Sequence, residues 1–89
     1  MKTYHIIVSG NVQGVFYRVT ARDKAKECSL TGWVKNTDNG DVEIMATGEE
    51  ENLQQFIEWC RTGPSKAKVD NVVANVVATT NFRSFAVVR

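Results

Sequence analysis

The segment at residues 10–18, "GNVQGVFYR", combines two glycines with a terminal arginine. Gly10 and Gly14 flank three residues that carry no ionisable side chain, and Arg18 closes the segment. Glycines allow successive backbone N–H groups to point toward one centre, and such a concave set of donors binds anions. The planar guanidinium of an arginine can hold two oxygens of one phosphate. These residue types predict a site that holds a phosphoryl group.

The same segment lacks a residue that could attack such a group. No Lys-Ser or Lys-Thr pair follows Gly14, which excludes a nucleotide-binding P-loop. Val12 stands six residues before Arg18, where the loop of a cysteine-dependent phosphatase would carry its nucleophile. An ordinary glycine-bearing turn followed by a surface arginine would have the same residues. The segment alone does not separate this structural interpretation from the functional one.

A second segment, "GWVKNTDNGDVE" at residues 32–43, places Asn36 where a predicted strand meets its hairpin. The asparagine amide offers a donor and an acceptor on one short side chain, which suits it to orient a water molecule. Asparagine also commonly begins turns. Taken by itself, Asn36 is better explained as a turn residue.

Hydrophobic periodicity predicts the elements that position these residues. Alternating apolar residues, or short apolar runs, predict strands over residues 3–9, 30–36, 41–47, 69–78 and 84–88. Asn39-Gly40 predicts a tight hairpin between the second and third strands. Helical spacing predicts one amphipathic helix over residues 17–28 and a second that ends before Gly63-Pro64.

The order β-α-β-β-α-β with a short extra strand predicts an α+β fold. We expect a ferredoxin-like two-layer sandwich, with an antiparallel sheet and both helices on one face, formed as a single domain by residues 1–89. The segment at 10–18 then joins the first strand to the first helix. Free N–H groups and the helix dipole favour anions at a helix N-terminus, and Arg18 adds a cation there.

Composition limits the partners and cofactors. The formal net charge of +1 predicts no general attraction to nucleic acid or to a membrane surface, so anion binding must be local. The N-terminal apolar run is too short for a signal peptide, and no run approaches a membrane span, so we expect a soluble cytoplasmic protein. Two cysteines and one histidine are too few for a structural zinc site, and we expect no metal and no cofactor.

The two cysteines lie on apolar helix faces, Cys28 near the end of the first helix and Cys60 near the end of the second. The fold predicts antiparallel helices, so these ends lie farther apart than a disulfide permits. We therefore expect two free, buried thiols, as is typical of a reducing compartment. His5 lies on the strand face opposite Ile6, which predicts a partly exposed, non-catalytic residue.

The two segments, "GNVQGVFYR" with the preceding "VS" and "GWVKNTDNGDVE", together resemble the two signatures of the acylphosphatase family. The resemblance extends over the whole chain in length and element order. It implies metal-independent hydrolysis of acyl phosphates to a carboxylate and inorganic phosphate, with phosphate as product and competitive ligand. It implies that Arg18 binds the phosphoryl group and that Asn36 orients the attacking water. It further implies a cradle of backbone N–H groups from Asn11, Val12, Gln13, Gly14, Val15 and Phe16.

The residue types agree with that reaction, because phosphoryl transfer depends mostly on positioning and charge stabilisation. We expect a monomer that acts on a small-molecule acyl phosphate. The alternative is a non-enzymatic, regulatory anion-binding module of the same fold, which would share Arg18 and the cradle but would not need Asn36. An RNA-binding module is disfavoured because the strand at 41–47 has no aromatic residue for stacking on bases.

Overall fold

The computed structural model describes residues 1–89, which form five strands and two helices. In chain order these are β1 (Lys2–Asn11), α1 (Tyr17–Glu27), β2 (Thr31–Asn36), β3 (Val42–Gly48), α2 (Glu50–Cys60), β4 (Lys68–Val77) and β5 (Phe85–Val88). Every predicted strand and helix is present, with ends that shift by one or two residues. Neither helix is long and apolar enough to cross a membrane.

The five strands form one sheet in the order β4-β1-β3-β2-β5. The pairs β1/β3, β1/β4 and β2/β3 are antiparallel, as predicted, whereas β2 and β5 pair in parallel. The expectation of a wholly antiparallel sheet is therefore wrong at this edge. The physical reason is the connection after β4, because residues 78–84 carry the chain to the opposite edge of the sheet and reverse its direction. The hydroxyl of Thr47 donates a 2.7 Å hydrogen bond to the Thr80 carbonyl within this connection.

This topology brings the C-terminal ends of three strands to the same end of the sheet. Because β1 and β2 are both antiparallel to β3, they run in the same direction, and β5 runs with them. The C-terminal ends of β1, β2 and β5 therefore lie at the end of the sheet where α1 begins. The segment at 10–18 and Asn36 lie at that end.

The core lies between the helices and one face of the sheet. The strands contribute fully buried Ile6, Val8, Val34 and Ile44, and α2 contributes Phe56. Burying apolar surface at this interface stabilises the fold by roughly 25 cal/mol per Å². The complete set of buried apolar residues also includes Val12, Tyr17, Ala21, Ala25, Cys28, Leu30, Val42, Ala46, Leu53, Ile57, Cys60 and Phe85.

The helices are antiparallel, so Cys60, at the end of α2, lies beside the start of α1, whereas Cys28 caps the end of α1. The Tyr17 hydroxyl, at the start of α1, donates a 2.9 Å hydrogen bond to the Cys60 carbonyl at the end of α2. Cys28 is at the other end of α1, roughly 16 Å away along a helix with a rise of 1.5 Å per residue. Both thiols are free and buried, which confirms the prediction. Burial raises the pKa of the Cys60 thiol to about 12, so it stays protonated.

Candidate active site

The connection between β1 and α1 contains two residues in the left-handed backbone region. Gly14 has φ 73°, and Phe16, the N-cap residue of α1, has φ 65°. Glycine adopts this conformation freely, whereas a bulky residue such as phenylalanine does so at a cost of about 1 kcal/mol or more. The Phe16 side chain is 74% exposed, so packing does not explain its conformation. A strained backbone in an exposed loop marks this segment as a candidate functional region.

The N-terminus of α1 keeps its own backbone donors free of side-chain partners. Its N-cap residue makes no capping hydrogen bond, and its first turn contains no acidic residue. The first N–H groups of a helix have no partner within the helix and carry its positive dipole. They are therefore available to an anion from outside the chain.

Two side chains fix the loop in place. Val12 is buried in the core with 1% exposure. The Gln13 side-chain amide donates hydrogen bonds to the carbonyls of Thr37 and Asp41, both at 2.9 Å. These bonds tie the loop to the β2–β3 hairpin, so that the loop and Asn36 are held as one unit. The sequence gives no sign of this function of Gln13, which was expected to contribute only its backbone N–H.

Gly10 has a different function from Gly14. A Cβ at Gly10 would lie 2.2 Å from the Lys68 carbonyl oxygen, whereas a Cβ at Gly14 would meet nothing within 4 Å. Gly10 thus permits close pairing of β1 with β4 at a register shift between Ser9 and Gly10. Of the two glycines singled out in the sequence, only Gly14 belongs to the cavity described next.

Arg18 and Asn36 line one cavity of about 240 Å³ above the start of α1. The two residues are far apart in the sequence. They meet because β1 and β2 run in the same direction, which places the start of α1 beside the end of β2. No acidic side chain lines this cavity, so no carboxylate competes for the guanidinium. The remaining lining residues are Val12, Gly14, Phe16, Tyr17 and Val19.

The guanidinium of Arg18 is oriented by the end of β5. Its Nη1 donates a 3.3 Å hydrogen bond to the carbonyl of Val88. A guanidinium has five N–H donors, so this contact leaves most of them for a ligand. The sequence predicted a cation in the first turn of α1 but not the strand that steadies it.

The hairpin turn does not depend on Asn36. Its hydrogen bonds are made by Thr37 and Asp41, with the Thr37 N–H donating to the Asp41 carbonyl at 2.9 Å and the Asp41 N–H donating to the Thr37 hydroxyl at 3.1 Å. The Thr37 hydroxyl also contacts the Asn39 side chain. Asn36 itself is the last residue of β2, half-buried, and lines the cavity. The turn-starting function considered for Asn36 is therefore performed by its neighbour.

Two further polar side chains, one in the cavity and one outside it, serve structure. Tyr17 lines the cavity, but its hydroxyl donates to the Cys60 carbonyl, and burial raises the pKa of this phenol above its ordinary value. His5 contacts Glu43 at 2.7 Å on the sheet face away from the helices. The structure contains no cluster of three or more His, Cys, Asp or Glu side chains that could hold a metal ion.

Comparison with known proteins gives a consistent result. The family model described as Acylphosphatase matches residues 4–87. An acylphosphatase of Methylococcus capsulatus is 46% identical over 90 residues, with 100% of this chain and 98% of the relative covered. The crystal structure of acylphosphatase from Bacillus subtilis has a TM-score of 0.97 and 39% identity, with both chains covered completely. The structure of an acylphosphatase from Coxiella burnetii has a TM-score of 0.94 and 44% identity, covering 97% of this chain and 90% of that one.

Proposed function

The chain belongs to the acylphosphatase family, and from this premise we propose that it hydrolyses acyl phosphates to a carboxylate and inorganic phosphate without a metal ion. The observation that carries the proposal is the shared cavity of Arg18 and Asn36 at the free N-terminus of α1. A phosphoryl group needs a cation and N–H donors, and the attacking water needs a polar group to orient it. The cavity provides both kinds of group.

Binding begins with the phosphoryl oxygens. The Arg18 guanidinium takes two of them as a planar clamp, while backbone N–H groups within residues 11–16 and at the start of α1 take the others. Because these donors are held by Val12, Gln13 and the Val88 carbonyl, little reorganisation accompanies binding. Donors that are fixed in advance stabilise the charge that spreads over the equatorial oxygens in the transition state.

Hydrolysis is a direct displacement at phosphorus. Asn36 holds a water molecule opposite the leaving carboxylate, and the water oxygen forms the new P–O bond as the bond to the acyl oxygen breaks. The carboxylate leaves as an anion and requires no strong general acid. The proton of the water passes to the phosphoryl oxygens of the substrate, because no side chain that acts as a base near neutral pH lines the cavity.

We further propose that the chain forms one domain and acts as a monomer in the cytoplasm. Two buried, unpaired cysteines support a reducing compartment. The family model spans nearly the whole chain, which supports one domain.

Release of phosphate from benzoyl phosphate in H₂¹⁸O, with excess EDTA, tests the proposal. We expect hydrolysis at an undiminished rate, with one ¹⁸O atom in the phosphate and none in the benzoate, because water attacks phosphorus. Label in the benzoate, a phosphorylated protein after acid quench, or activity that returns only with a divalent ion would contradict direct water attack. Phosphate binding without any hydrolysis would instead favour a non-enzymatic anion-binding module.

A further inference from the structure

A second concave surface adjoins the cavity and is strongly basic. This groove of about 730 Å³ shares Arg18, Val19 and Asn36 with the cavity and adds Arg22, Val87 and Arg89. It thus gathers three of the chain's five arginines in a molecule whose formal net charge is only +1. No acidic side chain lines it.

The topology explains how these arginines meet. Arg18 and Arg22 are one helical turn apart on α1, which places their Cβ atoms about 6 Å apart. Arg89 follows β5. Because β5 pairs in parallel with β2, the C-terminal end of β5 lies at the end of the sheet where α1 begins. The only acidic contact of Arg22 is the exposed Asp23, which accepts from Nε at 3.1 Å and leaves the terminal nitrogens free. Like charges repel, so their concentration without lining acids indicates a ligand that carries more than one negative charge.

We propose, on the basis of the acyl phosphate hydrolysis argued above, that this groove binds a second carboxylate carried by the acyl group of the substrate. Arg18 holds the phosphoryl group at the boundary between the cavity and the groove. Asn36 lines both concavities and so lies where they meet; the water that it holds is on the cavity side of phosphorus, and the acyl chain extends on the groove side, with Val19 and Val87 beside its hydrocarbon part. Arg22 and Arg89 then meet the far carboxylate. The preferred substrates are therefore acyl phosphates of dicarboxylic acids.

The rival occupant of this region is an uncharged apolar acyl group. Phe16 and Val19 are 74% and 43% exposed at the cavity and could contact such a group. Arg22 and Arg89 disfavour this occupant. An apolar group in the groove would remove water from their guanidinium groups without replacing the hydrogen bonds to that water. A charged and an uncharged acyl group of equal size separate the two possibilities.

The test compares 4-carboxybenzoyl and 3-carboxybenzoyl phosphate with 4-methylbenzoyl phosphate. The rigid rings match in size and prevent the second carboxylate from cyclising onto the acyl carbon. We expect the wild-type KM for at least one carboxy substrate to be about tenfold below that for the methyl substrate at low salt, equivalent to ~1.4 kcal/mol. The ratio of the carboxy KM to the methyl KM should rise toward one as salt screens the exposed charges.

The double variant Arg22→Gln/Arg89→Gln should bring the ratio of the carboxy KM to the methyl KM close to one. Comparing the ratio in the variant with that in the wild type cancels the intrinsic reactivity of each substrate. Lys26→Gln/Lys66→Gln is the matched control, because it also removes two positive charges, from exposed positions outside the groove. It should keep the wild-type ratio.

A wild-type ratio near or above one for both carboxy substrates, or a ratio that survives in the double variant, would overturn the groove assignment. If this occurs while 4-methylbenzoyl phosphate is still hydrolysed, only the groove assignment fails. If none of the three substrates is hydrolysed, the proposed hydrolysis fails with it.

Discussion

The molecule contains two junctions at which a strand leads into a helix, and they are built in opposite ways. Between β1 and α1, residues 12–16 form a five-residue connection with two left-handed residues, and the first helical turn contains no acid. Between β3 and α2, Glu49 alone makes the connection, and Glu50 and Glu51 occupy the first turn. Neither N-cap residue makes a side-chain capping hydrogen bond, but the second junction places negative charge beside its N–H donors, whereas the first has no acid there.

Three side chains hold Glu50 as a carboxylate beside the N-terminus of α2. Its carboxylate accepts hydrogen bonds from the Tyr4 hydroxyl at 2.9 Å and the Gln54 amide at 2.7 Å, and contacts the Lys2 ammonium at 2.8 Å. The hydrogen bonds from Lys2, Gln54 and Tyr4 lower the pKa of Glu50 to about 2. A helix N-terminus binds a ligand only where the chain has not already provided the anion. In this fold that condition holds at α1.

The largest expected effect is at the cation of the first junction. Arg18→Ala should reduce kcat/KM for benzoyl phosphate by on the order of 10³-fold or more, as is typical of losing an arginine that stabilises a transferring phosphoryl group. Arg18→Lys should also be poor, because an ammonium cannot replace the two-point clamp. Steady-state kinetics with circular dichroism as a folding check measures both. Retention of most activity in either variant would remove Arg18 from the mechanism.

The next effect separates binding from hydrolysis. Asn36→Ala should lower kcat by ~10²–10³-fold, because it removes one fixed polar group that acts on the attacking water. Competitive inhibition by inorganic phosphate should stay near the wild-type value, since Arg18 and the N–H donors remain. An inhibition constant that weakens as much as kcat would make Asn36 a binding residue.

An acid introduced at the first junction should weaken phosphate binding there, because the junction then carries negative charge as the second does. Phe16→Asp places a carboxylate at the N-cap of α1, where its negative charge repels phosphate from the free N–H groups. We expect the inhibition constant of phosphate to rise about tenfold, or ~1.4 kcal/mol. Phe16→Asn is the uncharged control and should change it little. An equal effect of both variants would show that the charge at the N-terminus of α1 is not what phosphate competes with.

The smallest effect on catalysis is expected at the second junction. Glu50→Gln should leave kcat and KM unchanged but lower the melting temperature at pH 7. Because the folded pKa of Glu50 is below its ordinary value of 4.5, its stabilisation is complete above that pH and is lost as pH falls toward about 2. Wild type and variant should therefore differ in melting temperature at neutral pH and converge in acid. A constant difference across this range would exclude the carboxylate charge as the cause.

The sequence predicted the fold well because its signals are local. The strand and helix patterns, the Asn39-Gly40 hairpin and the Gly63-Pro64 stop each depend on neighbouring residues. The direction of β5 was wrong because it depends on where the connection after β4 crosses the sheet, and residues 78–84 do not encode that crossing in any pattern. The contacts of Thr80 with Thr3 and Thr47 that hold this connection join distant parts of the chain.

The sequence indicated residues of the candidate site but not the contacts that hold them in place. Arg18 and Asn36 could be singled out because their residue types suit phosphoryl transfer and their segments resemble known signatures. The contacts of Gln13 with the hairpin and of Arg18 with Val88 could not, since amide side chains and backbone carbonyls occur everywhere. The left-handed conformation of Phe16 was equally hidden, because phenylalanine gives no signal for positive φ.

Titration of the ¹⁵N-labelled protein with inorganic phosphate, followed by ¹H–¹⁵N correlation spectra, tests the central claim most directly. The two junctions predict a sharp contrast between the ends of the molecule. The largest saturable shifts should occur at the backbone amides of residues 12–18 and the side-chain amide of Asn36. The amides of residues 49–52 should not move. Saturable shifts centred on α2, or none near Arg18 at saturating phosphate, would contradict the account.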